Sequence, residues 1–240
     1  MITILLRFFL FSLGILIIVI SSCERRKEKT DSTELNEIFK EDFSSAIELL
    51  KSEGPLIDTI AGFKQNEGEI VSIVFPEIIR WNAFQDIIET AVDESLYVNY
   101  GSADYSIGIF QMKPSFIEQL ESYVAENNIG DCSFVRINER DSVAIRRERI
   151  KRLKQNYWQL KYAQVFWTVV QHRFEKLEFK TKEDQIHFFA TAFNYGFRKP
   201  HDEIKVWQRK KAFPYGSTYS GLQGAYGDFS VLFYQNYSNY

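Results

Sequence analysis

The chain has 240 residues, 45% hydrophobic and 16% aromatic, which suffices for one domain with a sizeable core and a short appendage. A formal net charge of −3 excludes the basic footprint of a nucleic-acid binder, so no nucleic-acid partner is expected. Of the two cysteines, Cys23 stands near the N-terminus and Cys132 stands alone. That excludes an internal disulfide framework and makes Cys132 a small buried residue by expectation.

The N-terminal "MITILLRFFLFSLGILIIVISSC" holds one basic residue, Arg7, an apolar run from Phe8 to Ile20, small residues, and then Cys23. The run is shorter than the roughly 20 residues that a membrane-spanning helix needs, and its layout is that of a signal peptide over residues 1–22. The segment "ISSC" resembles the bacterial lipobox, which implies that Cys23 is lipidated and becomes the membrane anchor. Residues 23–34 then form a tether, because "ERRKEKTDSTE" is charged and lacks apolar residues. Residues 35–240 remain as the folded domain, with an N-terminal helix and a Tyr-rich C-terminal extension.

Within that domain the periodicity is helical. "ELNEIFKEDFSSAIELLKSEG" places apolar residues at helical spacing and stops at Gly54. "GEIVSIVFPEIIRWNAF" is strongly apolar, and Pro76 either starts a helical segment or kinks one. "FQDIIETAVDESLYVNYG" continues as an amphipathic helix to Gly101. After a polar turn, "PSFIEQLESYVAENNIG" is a helix with Pro114 in its first turn. The stretch 141–177 reads as one long helix or two consecutive ones, its basic part Arg146 to Lys154 being most simply a solvated face. "KEDQIHFFATAFNYGF" is a helix capped near Gly196, and the tail carries a short helix around Phe229 to Tyr234. The expected class is mainly α, with at most a small β-hairpin near residues 101–111.

The chemistry-bearing features come in a definite order: glutamates in an apolar setting, the turn "SIGIFQMKP", and "AFNYG". The turn contains Ser106, Gly108, Ile109, Phe110, Gln111 and Pro114, and the later segment is Ala192 to Gly196. Both segments, in this order, resemble the lysozyme-like lytic transglycosylases, whose turn carries "GLMQ" before a proline and whose later helix carries "AYNAG". The resemblance spans about Glu69 to Arg198. It implies a lysozyme-like fold, a substrate groove lined by Ser106, Gly108, Gln111, Asn194 and Tyr195, and a single catalytic glutamic acid. No metal or cofactor is implied, and His172, His187 and His201 are not spaced as metal ligands.

Cleavage of a glycosidic bond needs a carboxylic acid kept protonated near neutral pH, which apolar surroundings achieve. Glu77, in "SIVFPEIIRWN", has the most apolar neighbours and is the first candidate. It lies farther from Gln111 than the family usually places its acid, which an inserted helix would explain. Glu89, in "DIIETAV", has the more typical spacing and is the alternative acid. Glu94, in "VDES", recovers the family's Glu-Ser pair in a more polar setting. Asp104 resembles the aspartate of animal-type lysozymes, offset by two residues, and is also readable as a turn-stabilising residue.

The activity implied is cleavage of the MurNAc–GlcNAc bond of peptidoglycan to 1,6-anhydro-MurNAc products, by an envelope enzyme lipid-anchored at Cys23. The alternatives are a non-catalytic peptidoglycan-binding lipoprotein with a degenerate groove, and a hydrolase using Asp104. In "AFNYG" the family's tyrosine is Phe193, so a hydroxyl beside the acid has to come from elsewhere, with Tyr195 and Tyr105 as the candidates.

Overall fold

Helical periodicity carries into the three-dimensional structure. The computed structural model describes residues 34–60, 62–83 and 91–237, and the chain forms two units, residues 1–40 and 41–240. In the first unit residues 34–38 are helical, and the Phe39 N–H donates to the Leu35 carbonyl at 3.0 Å. Cys23 and the signal segment lie outside the described residues, among which no helix is long and apolar enough to cross a membrane.

The second unit is mainly α. Its early helices are α1 (Lys40–Ser52), α2 (Gly54–Ile57), α3 (Glu67–Ala83), α4 (Ala91–Tyr100) and α5 (Pro114–Glu126). There follow α6 (Ser142–Leu153), α7 (Asn156–Arg173), α8 (Lys182–Tyr195), α9 (His201–Trp207) and α10 (Tyr226–Tyr237). Strands β1 (Lys211–Phe213) and β2 (Gly224–Ala225) pair antiparallel in the tail. Between Gly101 and Gln111 the strand pairing reduces to one antiparallel bridge, Ile107 with Met112.

Local chemistry explains the boundaries. Asp141 caps α6 by accepting from the Ala144 N–H at 2.8 Å, and Thr181 caps α8 by accepting from Asp184 N–H at 3.1 Å. Pro114 occupies the first turn of α5 after an extended Lys113, where its missing N–H costs nothing. Pro76 sits inside α3 without ending it, although it withholds the N–H that would bond the Ser72 carbonyl.

The long basic-to-aromatic stretch is two helices, and α7 is central. Gln159, Leu160, Tyr162, Ala163, Val165, Phe166, Trp167, Val169 and Val170 are all buried, and only a narrow stripe through Lys161, Gln164 and Thr168 stays half-buried, so most of the helix's circumference faces the core. It packs on α2, α3, α5, α6 and α8, while α3, α8 and α10 pack against one another. Phe75 of α3 stacks on Phe233 of α10 at 4.1 Å and meets Phe43 of α1 at 5.3 Å. Rings buried this fully stabilise by about 1.5–3 kcal/mol each, so the Tyr-rich tail is a constituent of the core.

The expectation of a solvated face at Arg146 to Lys154 is corrected. Arg149 is buried; its guanidinium donates to Glu121 at 2.7 and 3.1 Å, to Glu118 at 2.8 Å and to the Tyr97 hydroxyl at 2.5 Å. Tyr162 donates to the other Glu121 oxygen at 2.9 Å. Burial alone pulls the Arg149 pKa down, but Glu121 and Tyr97 together push it above its ordinary value. Arg152, also buried, donates to the Val135 carbonyl at 2.7 Å and lies over the Trp158 ring at 4.1 Å. The planar forks of arginine reach carboxylates and rings across helix interfaces, which a hydropathy count scores as solvated charge.

Removing Arg149 strands Glu121 beside an apolar core. Arg149→Met is expected to cost about 3–5 kcal/mol in urea unfolding. Lys151→Met, on the exposed side of the same helix, is expected to stay within about 0.5 kcal/mol. Equal effects of the two would contradict this assignment.

Candidate functional site

Glu77 lies on α3 among Ile73, Val74, Phe75, Ile78 and Ile79, all buried, and is itself only 3% exposed. A carboxylate so placed must pair or take up a proton. Arg80, one turn later on the same helix, approaches its two oxygens at 3.1 and 3.5 Å. The Arg80 guanidinium also lies over the Phe213 ring at 4.8 Å. Lys113, at the end of the Gly101–Lys113 turn, is near enough for its charge to act on Glu77.

Burial pushes the Glu77 carboxyl above the usual carboxylate range, and Arg80, Tyr226 and Lys113 each pull it back without reversing the shift. Desolvation wins because the carboxyl is almost wholly out of water, whereas the Arg80 side chain is 29% exposed, where solvent screens its charge.

Tyr226, the first residue of α10, brings the third group. Its hydroxyl donates to the Ile73 carbonyl at 3.2 Å and also lies within hydrogen-bonding reach of Glu77. Burial, with Glu77 beside it, holds its pKa well above the ordinary phenol value, so it stays neutral. With one proton to give, the phenol can donate to an ionised Glu77 or to Ile73. A protonated Glu77 can instead donate to the phenol oxygen. Phe193 packs 6.5 Å from the Tyr226 ring. The hydroxyl beside Glu77 therefore comes from Tyr226 in the tail.

The turn is organised by a residue from the core. Gln159 of α7 is fully buried; its Oε1 accepts from the Phe110 N–H at 2.9 Å. Its Nε2 donates to the Ile107 carbonyl at 3.2 Å and to the Leu153 carbonyl, at the end of α6, at 2.6 Å. Gly108 has φ +70, and a Cβ there would lie 1.5 Å from Gln159 Nε2, so glycine is required both for conformation and for space. Ser106 is half-buried in the same turn. Gln111, at φ +46, folds its amide back so that Nε2 donates to the Gly108 carbonyl at 2.9 Å.

Asn194 and Tyr195 end α8 and engage α9. Asn194 Oδ1 accepts from Trp207 Nε1 at 3.3 Å. Tyr195 stacks on the Trp207 ring at 4.4 Å and donates to Glu203 at 3.3 Å. These contacts fix both side chains by way of a helix that the periodicity did not announce.

Among the other carboxylates, Asp104 accepts from the Ser115 N–H at 3.1 Å and from the Ser115 hydroxyl at 2.8 Å. It thus supports the first turn of α5, the structural role weighed for it above. Glu94 pairs with Lys154 at 2.5 Å, and Glu89 lies outside the described residues. His187 sits between Asp228, 3.1 Å from its Nε2, and Gln208, 2.8 Å from its Nδ1. Among the described residues no three His, Cys, Asp or Glu side chains are grouped as a metal site. Sequence reading missed Arg80, Tyr226 and Gln159. Only Arg80 carried a signal, its i,i+3 spacing from Glu77.

Gly108→Ala is expected to lower thermal stability markedly, by about 2 kcal/mol or more, while Gly130→Ala, with open space around its Cβ position, is expected to leave it nearly unchanged. For Glu77 the sign follows from its raised pKa. Between the ordinary carboxylate value and the raised one, the folded state binds more protons than the unfolded state. Stability therefore falls as pH rises through that window. Glu77→Gln removes this titration, so the variant should gain stability relative to wild type as pH rises, read from urea unfolding at a series of pH values. Parallel pH profiles for the two proteins would show that Glu77 is not held above its ordinary range.

Comparison with protein-family models, with curated proteins and with solved structures finds no match for this chain.

Proposed function

We propose that this chain is a peptidoglycan lytic transglycosylase, lipid-anchored in the cell envelope through Cys23, with Glu77 as its single catalytic acid. The observation that carries the reading is the burial of Glu77 in an apolar helix, which raises its pKa and suits it to deliver a proton near neutral pH. The resemblance of the Ser106–Gln111 turn and of the Asn194–Tyr195 segment to the lysozyme-like lytic transglycosylases supports it. So does the Tyr226 hydroxyl beside Glu77, which stands in for the one lost at Phe193.

In this reaction Glu77 gives its proton to the oxygen bridging MurNAc and GlcNAc, and the bond from that oxygen to the MurNAc C1 breaks. The resulting carboxylate then takes the proton of the MurNAc 6-hydroxyl, whose oxygen attacks C1 and closes the 1,6-anhydro ring. Tyr226 can donate to Glu77 while it is ionised and release it when the proton returns. The near-complete burial of Glu77 limits water beside it, which favours capture by the sugar's own hydroxyl over hydrolysis. No metal or cofactor is required by these steps.

A second reading, a peptidoglycan-binding lipoprotein without turnover, is favoured by the Glu77–Arg80 ion pair, since pairing works against a protonated acid. The two separate when the detergent-purified protein is incubated with sacculi and the soluble products are analysed by mass spectrometry. Anhydro-muropeptides are expected, with Glu77→Gln reducing their release by about 100-fold or more. Sacculus binding without released product would instead establish the binding protein, and products with reducing ends would establish a hydrolase.

A further inference from the structure

Tyr226 owes its place to the residues on either side of it. Asp228, in the first turn of α10, reaches back so that its Oδ2 accepts from the Ala225 N–H at 3.1 Å, the return bond of a capping box. Its Oδ1 lies 3.1 Å from Nε2 of His187, a half-buried residue of α8. The His187 ring rests on Gly227, where a Cβ would come within 2.7 Å of Nδ1. Gln208, just past α9, brings its Nε2 to 2.8 Å from the same Nδ1. One imidazole thus joins α8, α9 and the start of α10, and residues 225, 227 and 228 are each held by it or by Asp228. Between them Tyr226 is buried and donates to the Ile73 carbonyl at 3.2 Å, one helical turn before Glu77 on α3.

We propose that His187 and Asp228 are positioning residues that set the Tyr226 hydroxyl against α3 beside Glu77. The inference rests on the glycan-cleaving reading and deepens it, by naming what holds the hydroxyl that attends the acid. The direction of the bonds is set at Gln208. Its amide N–H faces Nδ1, so Nδ1 accepts, and the ring proton sits on Nε2 and is donated to Asp228. Without that bond the first turn of α10 is free to fray, and the phenol loses the geometry in which it donates to Glu77 as the proton leaves. The cost falls on turnover rather than on sugar binding, because the Ser106–Gln111 turn is anchored separately by Gln159.

Fluorotyrosine placed at position 226 of the full chain in detergent reports the seat of the phenol without any substrate. His187→Ala is expected to shift and broaden its fluorine signal. Gly227→Ala, which pushes the ring off the helix, should do the same. His201→Asn, which removes an exposed contact with Asp202, should leave the signal in place. Nitrogen NMR of the His187 ring at about pH 8, above the ordinary histidine range, should find a proton on Nε2. Asp228→Asn has one acceptor and one amide N–H group, so it keeps the Ala225 bond by donating to Nε2. The ring proton is then expected on Nδ1, with the Gln208 amide turned over and the Tyr226 signal close to wild type. Asp228→Ala should displace that signal. On sacculi, His187→Ala should lower kcat on the order of tenfold, the worth of one hydrogen bond, with KM little changed, and Asp228→Asn should retain most of the wild-type rate.

A Tyr226 signal unmoved in both His187→Ala and Gly227→Ala, or a wild-type ring with no proton on Nε2, would overturn the proposal. A displaced signal in these variants, with sacculi left intact by the wild type, would keep the positioning role and remove the lytic reading. Anhydro products released by His187→Ala at the wild-type rate would keep the lytic reading and remove the positioning role.

Discussion

The side-chain amide of Gln159 holds three backbone groups at once: the Phe110 N–H, the Ile107 carbonyl and the Leu153 carbonyl. The Ile107 carbonyl also accepts from the Met112 N–H in the bridge, and the Gln159 amide itself is fully buried. A buried polar group left unpaired costs on the order of 1–3 kcal/mol, so the Gln159 amide and the Phe110 N–H need each other. The central helix α7 thereby carries the turn on one side and the end of α6 on the other. Gly108 follows from this constraint, since any Cβ there would occupy the space of the amide. Gln111 and Lys113 follow in turn, because their places depend on where the turn is pinned. Glutamate could not replace Gln159, as it would set an acceptor against two carbonyls.

A second constraint is the competition around Glu77. Burial favours the neutral acid, while Arg80, Tyr226 and Lys113 favour the ion, and burial prevails. The balance is asymmetric in space as well as in magnitude. The cost of desolvation belongs to the interior of α3 and is always present. The main opposing charge belongs to Arg80, a side chain that solvent reaches. The interior thus holds the Glu77 pKa up, and the charge paired with it sits where solvent screens it.

How much of this was legible depended on the kind of interaction involved. Helices α5 and α8 could be read from Pro114, from the helical spacing of their apolar residues, and from Gly196, because those signals are local. Glu77 stood out for the same reason, its neighbours in sequence being its neighbours on the helix. The buried Arg149 and Arg152 read as solvated because their partners, Glu121, Tyr97, Val135 and Trp158, arrive from other elements. Helix α9 is short, and its role is to back Asn194 and Tyr195 with Trp207, a relation that no periodicity encodes. Tyr226 is the plainest case. One tyrosine in a tyrosine-rich tail is indistinguishable from its neighbours until α10 lies against α3 and places its hydroxyl beside Glu77.

The Gln159 bonds also have a consequence for how the protein breathes. Turn amides ordinarily exchange with solvent through small local openings, but the Phe110 N–H is tied to a side chain in the middle of the core. It can exchange only when α7 gives up its amide, which also frees the Leu153 carbonyl at the end of α6. In hydrogen-exchange terms Phe110 belongs to the slow core rather than to the turn that contains it. The cooperative unit of the fold therefore reaches outward to include part of the Gly101–Lys113 turn.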